Sequence, residues 1–197
     1  MNEILINTER LIIRRGEVED YIKIHEYDFN HLQYIDGEYD FIKNDPEMIR
    51  EWFSKYSSMN EYYDSLIKNN SYDLLVFLKN NLAIGQINFD RYDEVLNSLE
   101  LSCFLHPLYW SRGYMYEALI PTMDFIYRHG YDNIVYSYIV DNIASKNLCD
   151  KIGFKFFYTI NQTILSDKYN MTKVFIMSKS DYNEMYGKKL VKRYKKN

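Results

Sequence analysis

Six consecutive residues, Trp110-Ser111-Arg112-Gly113-Tyr114-Met115, combine the residue types best suited to holding an anion. A β-rich run ends at His106 just before them, and a helical pattern opens within them. The first turn of a helix leaves its backbone N–H groups without intrahelical partners and carries roughly half a positive charge. Phosphate can bind there without a dedicated cation. Gly113 lets the backbone approach a ligand closely, and Arg112 adds a full charge. Neither G-x-x-x-x-G-K-[ST] nor G-x-G-x-x-G occurs, which argues against nucleotide hydrolysis and dinucleotide binding. Many strand-to-helix turns contain a glycine and bind nothing, so the loop alone leaves both readings open. Cys103 and Cys149 lie in apolar stretches without C-x-x-C or Cys/His spacing, so neither a disulfide framework nor a metal site is expected, and a reducing cytoplasm fits.

The elements that must position this loop follow from periodicity. Residues 10–14 form a short β-rich run, and Val18, Tyr21, Ile22, Ile24, His25 and Phe29 then recur at helical spacing behind Glu17, Glu19 and Asp20. Asp45 and Pro46 open a second helix as N-cap and first turn, with Met48, Ile49, Trp52, Phe53 and Tyr56 on its apolar side. Residues 34–44 between them read as a loop. Runs at 73–78 and 82–89 flank Lys79-Asn80-Asn81 and predict an antiparallel hairpin. A polar turn is expected over 91–98, followed by a strand over 99–106 that Pro107 stops. A helix spans 112–130, with Pro121 inside it and Gly130 at its end. Strand 133–140, helix 143–152 capped by Gly153, and strands at 154–160 and 171–178 complete the order. This is a single α/β (α+β) domain with a central mixed, mostly antiparallel, twisted sheet of about seven strands and helices on both faces.

With 197 residues the chain can bury roughly 70% of the surface its unfolded form exposes, enough for one core without staples. The 21 tyrosines are the compositional excess; they can line a groove or simply fill space. The N-terminus lacks a signal-peptide pattern and no apolar run reaches the ~20 residues of a membrane span, so a soluble, cytoplasmic protein without membrane contact is expected. Net charge is −4, yet Lys188, Lys189, Lys192, Arg193, Lys195 and Lys196 crowd the last ten residues. The body without them is markedly acidic, which favours a cationic acceptor such as an amine and argues against general nucleic-acid binding. Residues 1–180 are read as the domain and 181–197 as a basic tail, flexible or helical.

The run Leu99-Glu100-Leu101-Ser102-Cys103-Phe104-Leu105-His106-Pro107-Leu108-Tyr109-Trp110-Ser111-Arg112-Gly113-Tyr114-Met115-Tyr116-Glu117-Ala118-Leu119 resembles the strand, pyrophosphate loop and helix of GNAT N-acetyltransferases. It looks most like the branch that acetylates the N-terminal amines of ribosomal proteins. A second match follows at that branch's spacing: Asp141-Asn142-Ile143-Ala144-Ser145-Lys146-Asn147-Leu148-Cys149-Asp150-Lys151-Ile152-Gly153-Phe154. The opening Thr8-Glu9-Arg10-Leu11-Ile12-Ile13-Arg14 and Ile84-Gly85 also stand where that branch has similar residues.

The resemblance implies an acetyl-CoA-dependent acyltransferase of the EC 2.3.1 class without a metal, acting as monomer or homodimer on a protein N-terminus or a small amine. It implies that backbone N–H groups of Trp110, Ser111, Arg112, Gly113, Tyr114 and Met115 hold the cofactor's pyrophosphate. Trp110 and Met115 depart from the family's pattern of Gln or Arg and Gly or Ala at those positions. Backbone groups of Cys103, Phe104 and Leu105 would meet the pantetheine arm, with Asn142 and Asn147 on the following helix. Direct attack of an amine on a thioester needs a base, a polarised carbonyl and a proton for the leaving thiolate. Cys149 occupies the position of the tyrosine that donates this proton in many relatives, and Ser145 matches the serine of the N-terminal-amine branch. The alternatives are that Ser145 only caps or packs and that the thiolate leaves with help from water. Strand alternation puts Glu100 on one face with Ser102 and Phe104, where it can act as base. A solvated strand carboxylate is the plainer reading, His106 is a second candidate base, and Glu117 favours the helix N-terminus electrostatically. A non-catalytic module of this fold that binds or senses acyl-CoA is the competing class.

Overall fold

The computed structural model describes residues 4–25, 45–163 and 169–187. The expected helical position Phe29, the expected loop over 34–44 and the basic residues from Lys188 onward lie outside the described residues. Cα packing divides the chain into one unit of Met1–Asp90 with Cys103–Ala118 and a second of Arg91–Ser102 with Leu119–Asn197.

In the first unit, β1 (Leu5–Asn7) pairs antiparallel with β2 (Leu11–Arg14), and β2 pairs antiparallel with β3 (Tyr72–Leu78). Leu11 and Ile13 alternate inward and are fully buried. β3 forms the expected hairpin with β4 (Ala83–Asp93), Asn81 taking the positive φ that the tight connection requires. Above this sheet edge pack α1 (Val18–His25), α2 (Pro46–Ser54) and α3 (Met59–Lys68), whose Tyr21, Ile49, Phe53, Tyr62 and Tyr63 form a core with Leu75 and Phe77. Asp45 caps α2 as its sequence predicts, accepting from Glu47 N at 2.9 Å.

α3 is absent from the sequence reading, although its signal is present: Ser58 accepts from Glu61 N while the Glu61 carboxylate accepts from Ser57 N and Oγ. Its buried Tyr62 and Tyr63 enclose Asp73 of β3. The carboxylate accepts from Tyr62 Oη at 2.5 Å, Tyr21 Oη at 2.8 Å and Gln86 Nε2 at 2.9 Å, while Tyr63 Oη both accepts from Gly16 N and donates to Gly16 O. Burial raises the Asp73 pKa, and the three donors oppose that rise. The aromatic residues of this stretch thus fill a core around one carboxylate.

In the second unit, the first part of β5 (Ser98–Leu105), over Ser98–Leu101, pairs parallel with β6 (Asn133–Ile139), which pairs antiparallel with β8 (Tyr169–Ser178), itself antiparallel to the edge strand β7 (Lys155–Thr163). The strand order is β1-β2-β3-β4-β5-β6-β8-β7, and β5–β6 is the one parallel pair among those with a described register. Eight strands rather than seven are present among the described residues, because Leu5–Asn7 also pairs. β4 runs to Asp93, through the beginning of the expected turn, which narrows to the residues around the positive-φ Asn97. α4 (Tyr114–Arg128) continues through Pro121, and α5 (Ile143–Ile152) ends at the left-handed Gly153, φ 91°. α6 (Lys179–Tyr182) and a π-turn (Asn183–Gly187) occupy the start of the expected tail, with Tyr182 and Tyr186 buried.

Candidate functional site

β5 ends at Leu105, and His106 N bonds to Ile84 O at 2.8 Å. Gly85 lies against this end of β5; a Cβ there would collide with the Phe104 carbonyl. His106 then caps a single 3-10 turn (Pro107–Tyr109), its Nδ1 accepting from Leu108 N. That contact gives His106 a structural role at the start of the loop. Trp110 Nε1 donates to Leu105 O at 2.6 Å and so folds the loop back on the strand. The Leu105 carbonyl, expected to face a ligand, is therefore engaged internally.

Ser111 and Gly113 both adopt positive φ, 58° and 74°. The helix begins at once: Glu117 N bonds to Gly113 O at 3.0 Å. Among the described residues no acceptor takes the N–H groups of Ser111, Arg112, Gly113, Tyr114 or Met115, as the first turn of a helix requires. Among the described residues a Cβ on Gly113 would meet nothing nearer than Arg10 Nη2, at 3.7 Å, so they leave the loop open on that side. Met115 is buried. These features fit the pyrophosphate of coenzyme A, which needs converging amides and close backbone approach.

A support invisible in the linear sequence holds the loop from below. Glu117 accepts from Thr8 Oγ1 at 2.6 Å, Arg10 N at 2.9 Å and Arg10 Nε at 2.6 Å. Burial alone would raise the Glu117 pKa, but these donors and the Arg10 charge hold its carboxyl below the usual range. Arg10 Nη1 reaches Arg112 O at 3.0 Å, and its guanidinium lies over the Tyr114 ring at 4.5 Å. Glu117 thus ties the helix to the β1–β2 turn in addition to favouring the helix N-terminus.

In the second unit, Asn142 is the N-cap of α5, with Oδ1 accepting from Ser145 N at 3.0 Å. The bond uses the amide oxygen and leaves Nδ2 to donate elsewhere. Ser145 is half-buried at the third helical position and its hydroxyl bonds to no described residue. Asn147 is exposed. Cys149 is fully buried, and burial, with Asp150 nearby, pushes its thiol up to about 12, which makes it unsuited to exchange protons near neutrality.

Glu100 on β5 is half-buried and accepts from Ser137 Oγ of β6 at 2.7 Å. Register pairs Glu100 with Val135, so Ser137, two residues on, lies on the same face. Tyr92 and Tyr158 hydrogen-bond to each other in the same unit, and burial, that bond and nearby charges including Glu100 raise the Tyr92 pKa. No hydrogen bond joins Glu100 to Ser145. Ser137, Tyr92 and Tyr158 are absent from the sequence reading because no local pattern marks them. Among the described residues no group of three or more His, Cys, Asp or Glu is placed to hold a metal, and no helix is long and apolar enough to cross a membrane.

A strand running into an open, glycine-bearing helix N-terminus, on a mixed sheet with one parallel pair among the described registers, fits the scaffold of an N-acetyltransferase. The chain belongs to the acetyltransferase (GNAT) domain family, which matches residues 10–155. No curated protein sequence matches it significantly. Solved structures share the fold. A GNAT-family acetyltransferase from Bacillus anthracis is 22% identical, with 90% of this chain and 99% of that one covered at a TM-score of 0.71. Ribosomal-protein-S5-alanine acetyltransferase from Vibrio fischeri is 18% identical, covering 91% and 98% at 0.73. The ribosomal L7/L12 α-N-protein acetyltransferase RimL, solved with coenzyme A, is 16% identical, covering 90% and 99% at 0.73.

Proposed function

We propose that this protein transfers the acetyl group of acetyl-CoA to a primary amine by direct attack, and that the acceptor is the N-terminal amine of a protein. The observation that carries the reading is the set of unpartnered N–H groups from Ser111 to Met115 beside the open face of Gly113, in a chain of the GNAT family. The thioester supplies the activated acetyl group. The loop amides hold the pyrophosphate, and Cys103 and Phe104 offer backbone groups to the pantetheine arm. Asn142 Nδ2 adds a donor while Oδ1 keeps α5 capped.

Glu100 accepts the ammonium proton of the acceptor. Ser137, donating to Oε1, fixes the carboxylate and leaves Oε2 to take that proton. Ser145 Oγ, which bonds to no described residue, donates its proton to the leaving thiolate and regains one from the acceptor nitrogen as the amide forms. The choice of an N-terminal acceptor over a small amine is supported by the ribosomal-protein acetyltransferases that share the fold and by Ser145 in place of the tyrosine donor.

The test is release of free thiol from acetyl-CoA in the presence of peptides beginning with Ala, Ser or Met, and of spermidine as a small-amine control. Acetylated peptide N-termini are expected, with Glu100→Gln lowering kcat at least tenfold. Turnover of spermidine alone would move the acceptor to small amines. Tight binding of coenzyme A without turnover of any amine would leave an acyl-CoA-binding module.

A further inference from the structure

Arg10 lies outside the loop in sequence, yet it bonds to Arg112 within it and to Glu117 in the helix that follows. Its backbone N and Nε are fixed by Glu117, whose carboxylate is also held by Thr8 Oγ1; Thr8 Oγ1 in turn accepts from Leu11 N at 2.9 Å. Nη1 is fixed by the Arg112 carbonyl, and the guanidinium plane rests over Tyr114. Three anchors on the side chain, from Glu117, Arg112 and Tyr114, leave it little rotational freedom. Nη2 donates to no described residue, and it is the atom nearest the open face of Gly113.

We propose that Arg10 is a cofactor-binding residue in its own right. It locks the loop in its positive-φ conformation and offers Nη2 to the pyrophosphate that the Ser111 to Met115 amides receive. The proposal rests on the reading of that loop as the coenzyme A site. A guanidinium suits this double task because its donors point in fixed, divergent directions, whereas an ammonium can supply the charge without spanning both Glu117 and the Arg112 carbonyl. The Glu117 carboxylate fixes the guanidinium's orientation before any ligand arrives.

The test is calorimetric titration of the full chain with coenzyme A at several salt concentrations, comparing wild type, Arg10→Ala and Arg10→Lys, with circular dichroism to check folding. Arg10→Ala is expected to weaken binding at least tenfold and to flatten its salt dependence, because a direct charge contact is lost. Arg10→Lys should recover the salt dependence and only part of the affinity. If Arg10→Ala does not fold, Arg10→Lys carries the test, with at least threefold weaker binding expected. Binding by Arg10→Ala within twofold of wild type, or weaker binding with an unchanged salt dependence, would overturn the direct contact. Wild type that binds no coenzyme A would instead overturn the reading of the loop itself.

Discussion

At the scale of single residues, His25 shows how position changes chemistry. It ends α1 with its ring edge-on to Phe104 of β5, centroids 5.1 Å apart, and burial lowers its imidazole from 6.5 to about 4. The folded protein therefore holds it neutral, while the unfolded chain takes up a proton near 6.5. Between those values the unfolded state binds more protons, so the stability His25 contributes is fully present above about 6.5 and lost as pH falls towards 4. Urea unfolding of wild type and His25→Gln at pH 7.5 and 5 should show wild type losing more stability on acidification than the variant. Equal losses would remove His25 from the account. Glu117 has the opposite design, a carboxylate kept ionised by donors from Thr8 and Arg10, and its charge stays available to hold the loop well below neutrality.

At the scale of elements, α5 carries two functions on one side chain. Asn142 Oδ1 caps the helix through Ser145 N, and the proposed contact to the pantetheine arm falls to Nδ2. Asn142→Asp separates them, because aspartate caps about as well as asparagine, within roughly 0.5 kcal/mol, but lacks the amide donor. The variant should unfold at nearly the wild-type urea concentration while binding coenzyme A several-fold more weakly. Coenzyme A binding equal to wild type would leave Asn142 as a cap alone. The helix was legible from its cap and from Gly153, as α2 was from Asp45 and Pro46, since caps are local and residue-specific. The loop was legible for the same reason. What could not be read is what depends on distant partners: Arg10 meets Glu117 across 107 positions, and Ser137 meets Glu100 across 37. α3 is a different case, because its Ser58-x-x-Glu61 box is local but sits among tyrosines with weak helical periodicity.

At the scale of the whole molecule, two tyrosines beyond β8 hold residues 179–187 in place. Tyr182 is fully buried, its ring tilted against Tyr127 with centroids 5.0 Å apart, and donates to Ile120 O at 2.6 Å; Tyr186 is buried and donates to Ile152 O at 2.9 Å. Asp181 caps this turn with Ser178 and pairs with Lys155 at 2.5 Å. A chain ending at Ser180 loses both rings and the two hydroxyl donors to the Ile120 and Ile152 carbonyls. The lost burial and the space left behind together cost about 4 kcal/mol or more. For a domain of this size that corresponds to a fall of roughly 10 °C in Tm. The comparison is between chains ending at Gly187 and at Ser180, melted side by side. The shorter chain should melt lower by that margin, and coincident melting curves would show that the two tyrosines contribute no net stability.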